Sequence, residues 1–327
     1  MKDWADLPVS AQVKRIRGAL ADLLRRWGIR DTELQFIFHG ENTTFRASAW
    51  RGDFLVRVAR PGYHTISETR SELAWLTDLH AHGIVCPRPV ATRDGELVLP
   101  LDVPGVFASH VCVFEWVDGT IVGRRLGRRT ITGIGELMGR LHEHAAGWKR
   151  PRGFDRTGWL VMTGQQPTAE TQAAWKLLPA EHRHEFEAIR RAAMRAYKSL
   201  SHPRDIGLLH ADLHSRNVLH TPRGLAAIDF DDTGFAPWVT DVAVASAYWD
   251  ERQVERFRWL MDGYHRVREF PAHQLKHLST LIAWRIVGVT LWVTGRAESN
   301  TFFRARLKAL QAGMLKLARG ALEREYR

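Results

Sequence analysis

The sequence is short of cysteine, of long apolar runs and of repeats, and each shortage argues against a class of protein. Only two cysteines, Cys86 and Cys112, occur in 327 residues, far apart and without His or Cys neighbours at ligand spacing. That argues against a disulfide scaffold and against a Cys-based zinc site, and makes a reducing, cytoplasmic location the expectation. Met1-Lys2-Asp3-Trp4 opens no apolar segment of the signal-peptide kind. The longest strongly apolar stretch with helical character runs from Ile286 to Gly295 between Arg285 and Arg296. A bilayer core needs about 20 such residues, so a buried helix is expected and membrane insertion is not. Internal repeats and low-complexity tracts are missing as well. No basic stripe is interleaved with aromatics. The densest basic run, Arg124-Arg125 with Arg128-Arg129, reads as a solvated loop, so no nucleic-acid partner is expected.

What the chain does have is the composition of an ordinary folded protein: 45% hydrophobic and 25% charged residues, with a net charge of +11. Its length suits about two domains. Ser10 as N-cap, followed by Val13, Ile16, Leu20, Leu23, Leu24 and Trp27 and closed by Gly28, predicts an amphipathic helix over residues 11–27. The period then changes. Leu34–Phe38, Thr43–Ala49 and Phe54–Ala59 read as a meander of antiparallel strands. A helix follows over about Ile66–Ala81, with further strands at 96–101 and 110–117. Beyond Gly119 the pattern is mostly helical, with one helix marked by Ile131, Ile134, Leu137, Met138 and Leu141, another over 181–200, and helices filling 238–323. Short strands and loop over 206–230 interrupt it. The fold class is therefore α+β, in two lobes: a small β-rich part over 1–117 and a larger helical part over 118–327.

Inside the helical part, His210-Ala211-Asp212-Leu213-His214-Ser215-Arg216-Asn217 fits H-x-D-x-x-x-x-N, and Ile228-Asp229-Phe230-Asp231-Asp232 follows at the end of a short apolar strand. Phosphoryl transfer uses this combination: one carboxylate for the attacking hydroxyl, and an amide oxygen with a second carboxylate for a divalent cation. Gathering Asp229, Asp231 and Asp232 is costly without a cation. The alternative is a polar turn in which Asp212 and Asn217 cap helices.

These segments resemble the aminoglycoside phosphotransferase and choline kinase family, whose relatives include homoserine-kinase-type and bacterial stress-response kinases, and whose fold is that of protein kinases in shortened form. The resemblance runs from about Phe36 to Arg296. It implies Asp212 as catalytic base, Asn217 and Asp229 as metal ligands, and His210 as a loop-orienting residue. His214, Asp231 and Asp232 would support them, and Asp241 would brace the loop. Gly40, Glu41, Asn42 and Thr43 correspond to the phosphate-covering loop. Arg57 stands where the family commonly has lysine; it keeps the charge with a different reach and shape. Its carboxylate partner would be Glu72, in preference to Glu68. Glu115 and Val117 would flank the backbone that meets the base. The implied cofactors are ATP, or GTP, and Mg²⁺.

The resemblance leaves the acceptor open between a small-molecule hydroxyl and a protein Ser/Thr; a nucleotide-binding module without catalysis is the third reading. Only Thr233–Trp238 separates Asp232 from the next helix, which leaves little platform for a peptide. The Arg, Lys and Trp content of 237–327 favours an anionic or neutral acceptor over a polycation. The histidines of His142-Glu143-His144 and the pair His182/His184 read as surface residues of helices, and Trp75, Trp259 and Trp284 as core.

Overall fold

A computed structural model of the chain describes residues 4, 7–30, 33–103, 109–249, 252–297 and 301–326. Met1–Asp3, read above for a leader segment, lie outside the described residues. The chain divides into two units. One is Met1–Thr120 with Lys149–Arg156 and Thr221–Gly224; the other is Ile121–Trp148 with Thr157–His220 and Leu225–Arg327.

The first unit opens with helix α1 (Val9–Leu23), capped by Pro8 rather than Ser10. Proline suits this place because its fixed φ prepares the chain for a helix and its missing N–H would have no partner there. A 3₁₀ turn carries the helix on to Trp27, and Gly28, at φ +76°, ends it. Strands β1 (Leu34–His39), β2 (Asn42–Ala49) and β3 (Gly52–Ala59) precede helix α2 (Ile66–Ala81), and β4 (Val98–Leu101) and β5 (Ser109–Glu115) complete the unit's sheet. The order is β1-β2-β3-β5-β4, with every neighbour antiparallel. Strand alternation sends Phe45, Ala47, Val56 and Val58 to one face, where they join Val13, Ile16 and Leu20 of α1 and Leu24 of the 3₁₀ turn in the core. Each such side chain, fully buried, stabilises by about 1.5–3 kcal/mol. The residues between them, Arg57 included, go to the other face. Cys86 and Cys112 are buried free thiols.

The second unit holds most of the helices. After β6 (Thr120–Ile121) come α3 (Arg128–Gly147), α4 (Trp159–Met162), α5 (Ala169–Lys176) and α6 (Ala180–Ser199). Four short strands follow, β7 (Ile206–Leu209), β8 (Val218–Thr221), β9 (Gly224–Ala227) and β10 (Gly234–Pro237). Helices α7 (Val239–Ser246), α8 (Gln253–Tyr264), α9 (Leu278–Arg296) and α10 (Thr301–Leu322) close the chain. The segment Thr233–Trp238 is thus a strand: β10 pairs antiparallel with β7, Gly234 opposite Leu209 and Pro237 opposite Ile206. Helices α3 and α8 meet backbone to backbone. A Cβ on Gly135 would fall 1.9 Å from the Leu260 carbonyl oxygen, and one on Gly263 would fall 1.8 Å from that of Thr132, so only glycine fits at either place.

The apolar helix is longer than its ten-residue run, because Arg285 lies within α9 rather than before it. By length and composition, with a mean hydropathy of 1.4 over its most apolar 18 residues, Ala272–Arg296 could cross a membrane. In the fold it packs against α5, α6, α7 and α10 as a core element. Of the three tryptophans expected in the core, Trp75 is fully buried, whereas Trp259 and Trp284 are half-buried.

Candidate active site

The site in the second unit starts where β7 ends. His210 and Ala211 are buried, and Ala211 takes φ +67°. The Asp241 carboxylate of α7 accepts both of their N–H groups, His210 at 3.3 Å and Ala211 at 2.8 Å. Asp241 is itself held by His142 of α3, whose Nε2 lies 3.1 Å from Oδ2 while its Nδ1 lies 3.0 Å from the Tyr264 hydroxyl. Burial lowers the His142 pKa against the pull of Asp241, so the ring is neutral. Nε2–H then donates to Asp241, and Nδ1 accepts from Tyr264. This corrects the surface reading of His142, which is fully buried.

His210 ties the two motif segments together. Its Nε2–H donates to the Ile228 carbonyl at 3.0 Å, and its Nδ1 accepts the Asp212 N–H at 3.3 Å. Ile228 N–H in turn donates to the Asn217 carbonyl at 2.9 Å. Asp229 follows at φ +67°; with Ala211 it makes the two left-handed non-glycine residues found among those described. Such backbone costs about 1–3 kcal/mol per residue and is kept where surrounding bonds impose it, which here means one residue in each segment.

Asp212 is gripped at both oxygens. Asn217 Nδ2 donates to Oδ2 at 2.8 Å and to the Asp212 carbonyl at 3.0 Å, and Arg285 of α9 donates to Oδ1. His214 Nε2 stands 3.5 Å from Oδ2. Burial pushes the Asp212 pKa up to about 7; Arg285 opposes the rise, and Asp232 and Asp231 add to it. Asp231 is buried and Asp232 half-buried, while Asp229 is exposed. Both of the Asn217 bonds to Asp212 use Nδ2, which leaves Oδ1 as the side chain's acceptor.

Several histidines are buried in the neutral form. Burial lowers the pKa of His214 to about 4, as it does that of His110 in the first unit, and it also depresses His142 and His210. Below an unfolded value of about 6.5 the unfolded chain binds protons that these folded groups refuse. Their contribution is therefore present above about pH 6.5 and is lost as pH falls toward 4. Asp212, raised instead, works in the opposite sense over pH 4–7, one group against four. Unfolding free energies from urea titrations between pH 7.5 and 5 are expected to fall, by up to about 1.4 kcal/mol per pH unit for each histidine.

In the first unit, Arg57 and Glu72 form a buried fork: Nη1 to Oε1 at 2.8 Å and Nη2 to Oε2 at 2.6 Å. The guanidinium also lies over the Phe114 ring at 5.1 Å. Burial would raise the Glu72 carboxyl, but Arg57 holds it below the usual range. Gly40 and Glu41 turn β1 into β2. Gly40 N–H donates to the Asn42 carbonyl at 2.9 Å, and the Glu41 carboxylate accepts from Arg60 at 3.0 Å. Thr43 is buried and its hydroxyl is bonded to His39 at 2.8 Å. Glu115 and Val117 line a cavity of about 300 Å³ with His80, Cys86, Arg88 and Arg223. The amides of Glu115 and Trp116 donate to the Arg88 and Asp53 carbonyls, at 2.9 and 3.0 Å.

The residues expected from the motif thus meet within each unit: His210, Asp212, His214, Asn217 and Asp241 in one, Arg57 and Glu72 in the other. Sequence reasoning misses Arg285, His142 and Tyr248, the last with its ring 6.1 Å from that of His214. Arg285 carried one signal, a cation set in an apolar helix.

The model of the phosphotransferase enzyme family matches residues 35–270. Homoserine kinase of Rhodopseudomonas palustris (strain HaA2) is 29% identical over 264 residues, covering 76% of this chain and 75% of the relative. Amicoumacin kinase of Bacillus subtilis (strain 168) is 24% identical over 246 residues, covering 73% and 70%. Among solved structures, a microcompartment-associated aminopropanol kinase superposes with a TM-score of 0.79 at 26% identity, over 94% of this chain and 99% of that one. A choline kinase from Cryptosporidium parvum shares the protein-kinase-like fold at a TM-score of 0.62 and 14% identity, covering 94% and 96%. With the family model spanning well over half of the chain, this protein belongs to the phosphotransferase enzyme family and is a kinase of the aminoglycoside phosphotransferase and choline kinase type.

Proposed function

We propose that the protein transfers the γ-phosphate of ATP to a hydroxyl of a small amino alcohol or hydroxy amino acid, with Mg²⁺ as its cation. The observation that carries this reading is the pairing of Asp212 with Asn217 beside Asp229. A carboxylate is presented with both oxygens oriented, and the Ile228 N–H bond to the Asn217 carbonyl, at 2.9 Å, sets the Asp229 segment against the loop. Asn217 Oδ1 and the Asp229 carboxylate, with Asp231 and Asp232 near, make a set of hard oxygen donors that fits Mg²⁺. When bound, the cation neutralises phosphate charge as the transfer proceeds. Asp212 orients the acceptor hydroxyl and takes its proton as the new O–P bond forms and the bond from the γ-phosphorus to the β–γ bridging oxygen breaks, releasing ADP.

Within the first unit, the turn at Gly40–Asn42 covers the phosphates, and Arg57, oriented by Glu72, faces them as a fixed cation. Thr43, engaged with His39, supports the turn rather than reaching the nucleotide. The Val117 amide has no hydrogen-bond partner among the described residues and is the donor available to the nucleobase; a backbone donor of this kind accepts ATP or GTP. The free thiols Cys86 and Cys112, the former pushed up to about 12 by burial, support a cytoplasmic setting.

A small acceptor is favoured over a protein one. β10 is zipped to β7 directly after the Asp229–Asp232 cluster, which leaves no free segment there to dock a peptide. Homoserine and aminopropanol, named for two relatives, are both small amines bearing a hydroxyl. The test is acceptor-dependent ADP release with ATP and Mg²⁺ over a panel of amino alcohols, hydroxy amino acids, sugars and aminoglycosides. Turnover with one of the first two classes is expected. ADP release that no acceptor stimulates would overturn the reading.

A further inference from the structure

We infer that Arg285 is the positioning residue for Asp212, fixing the orientation of its carboxylate from a helix 73 residues away in sequence. The inference rests on the role proposed above for Asp212. Asn217 fixes Oδ2 from within the loop, at 2.8 Å. The loop supplies no matching bond to Oδ1; that bond comes from Arg285. With both oxygens held from different elements, the plane of the carboxylate is set, and each oxygen keeps a lone pair for the acceptor hydroxyl.

Arg285 is partly buried on α9, its side chain 27% exposed, with Ile282 buried one turn before it and Gly288 exposed one turn after. Tyr248 also stands beside the guanidinium, whose Nε is buried without a partner among the described residues. A methionine would fill the same place without leaving a buried donor unpaired. Arg285 is also the guanidinium that offsets the crowding of Asp212 by Asp231 and Asp232. Its cost to the helix matches a function in holding one carboxylate still.

The experiment compares wild type, R285M, R285K, D212N and the double variant D212N/R285M, using the acceptor from the panel. R285M is expected to lower kcat about 100-fold, as displacement of a reacting group by an ångström does. KM for nucleotide and acceptor should change little, and R285K should recover part of kcat. In the D212N background, removing Arg285 should cost almost nothing, because it acts through the group already lost. Independent, multiplying losses in the double variant would overturn the inference. Crystal structures of wild type and R285K, with R285M where it folds, give a readout that needs no turnover. The Asp212 carboxylate should be rotated or split between rotamers over an unchanged His210–Asn217 backbone; a carboxylate left in place overturns the inference. A wild-type enzyme that turns over no acceptor would refute the proposed function alone, and the structures would still decide the role of Arg285.

Discussion

Replacing Asp212 by Asn is expected to lower kcat about 10³-fold while leaving the fold intact, since a positioned general base contributes roughly 10²–10⁴-fold. The substitution keeps shape and volume but removes the acceptor for a proton. It also removes the negative charge that faces Arg285, so the guanidinium keeps only a neutral oxygen to bind. Nucleotide affinity should hold, because the groups proposed to grip the phosphates lie in the other unit. Stopped-flow or steady-state kinetics beside equilibrium binding of a non-hydrolysable nucleotide separates the two effects. Loss of binding equal to the loss of turnover would place Asp212 in nucleotide capture rather than in the transfer step.

Glu72→Ala is expected to be the most damaging change to stability. Glu72 is 1% exposed and shares two hydrogen bonds with the equally enclosed Arg57. Deleting one partner of such a pair leaves an uncompensated buried charge and costs about 3–5 kcal/mol. Replacing both by apolar residues of similar volume, as in Arg57→Met with Glu72→Leu, should cost less, because no charge is stranded. Urea unfolding of the three variants measures this. The double variant should nevertheless bind ATP weakly, since the cation proposed to face the phosphates is gone. A double variant less stable than Glu72→Ala would show that the pair adds net stability rather than orientation.

The parts of the site that can be read in the sequence are those set by local spacing. Asp212 and Asn217 are five residues apart in one loop, so their contact follows from the motif itself. Arg57 and Glu72 are legible as types, one from strand alternation and one from a helix face, and 15 residues separate them. Arg285 and His142 reach their partners across 73 and 99 residues. No local pattern encodes such pairings. His142 stands in a polar His-Glu-His run that reads as solvated, and it is buried by tertiary partners, Asp241 of α7, Tyr264 of α8 and the Trp238 ring. β10 escapes notice for a related reason: Gly-Phe-Ala-Pro has little strand propensity, and it is extended because β7 lies beside it. The start of α1 at Pro8 rather than Ser10 is a smaller difference, two plausible caps standing close together.

The central claim, that this chain moves a phosphoryl group to a small hydroxyl compound by way of Asp212, is tested most directly by following the label. Wild type and Asp212→Asn would be incubated with ATP labelled at the γ-phosphorus, Mg²⁺, a hydroxy amino acid or amino alcohol, and a protein extract. The label is then measured in the small-molecule, protein and free-phosphate fractions. Label is expected in the small-molecule fraction, lost about 10³-fold in the variant. Label in protein instead, or equal release of free phosphate by both forms with no labelled small molecule, would contradict the claim.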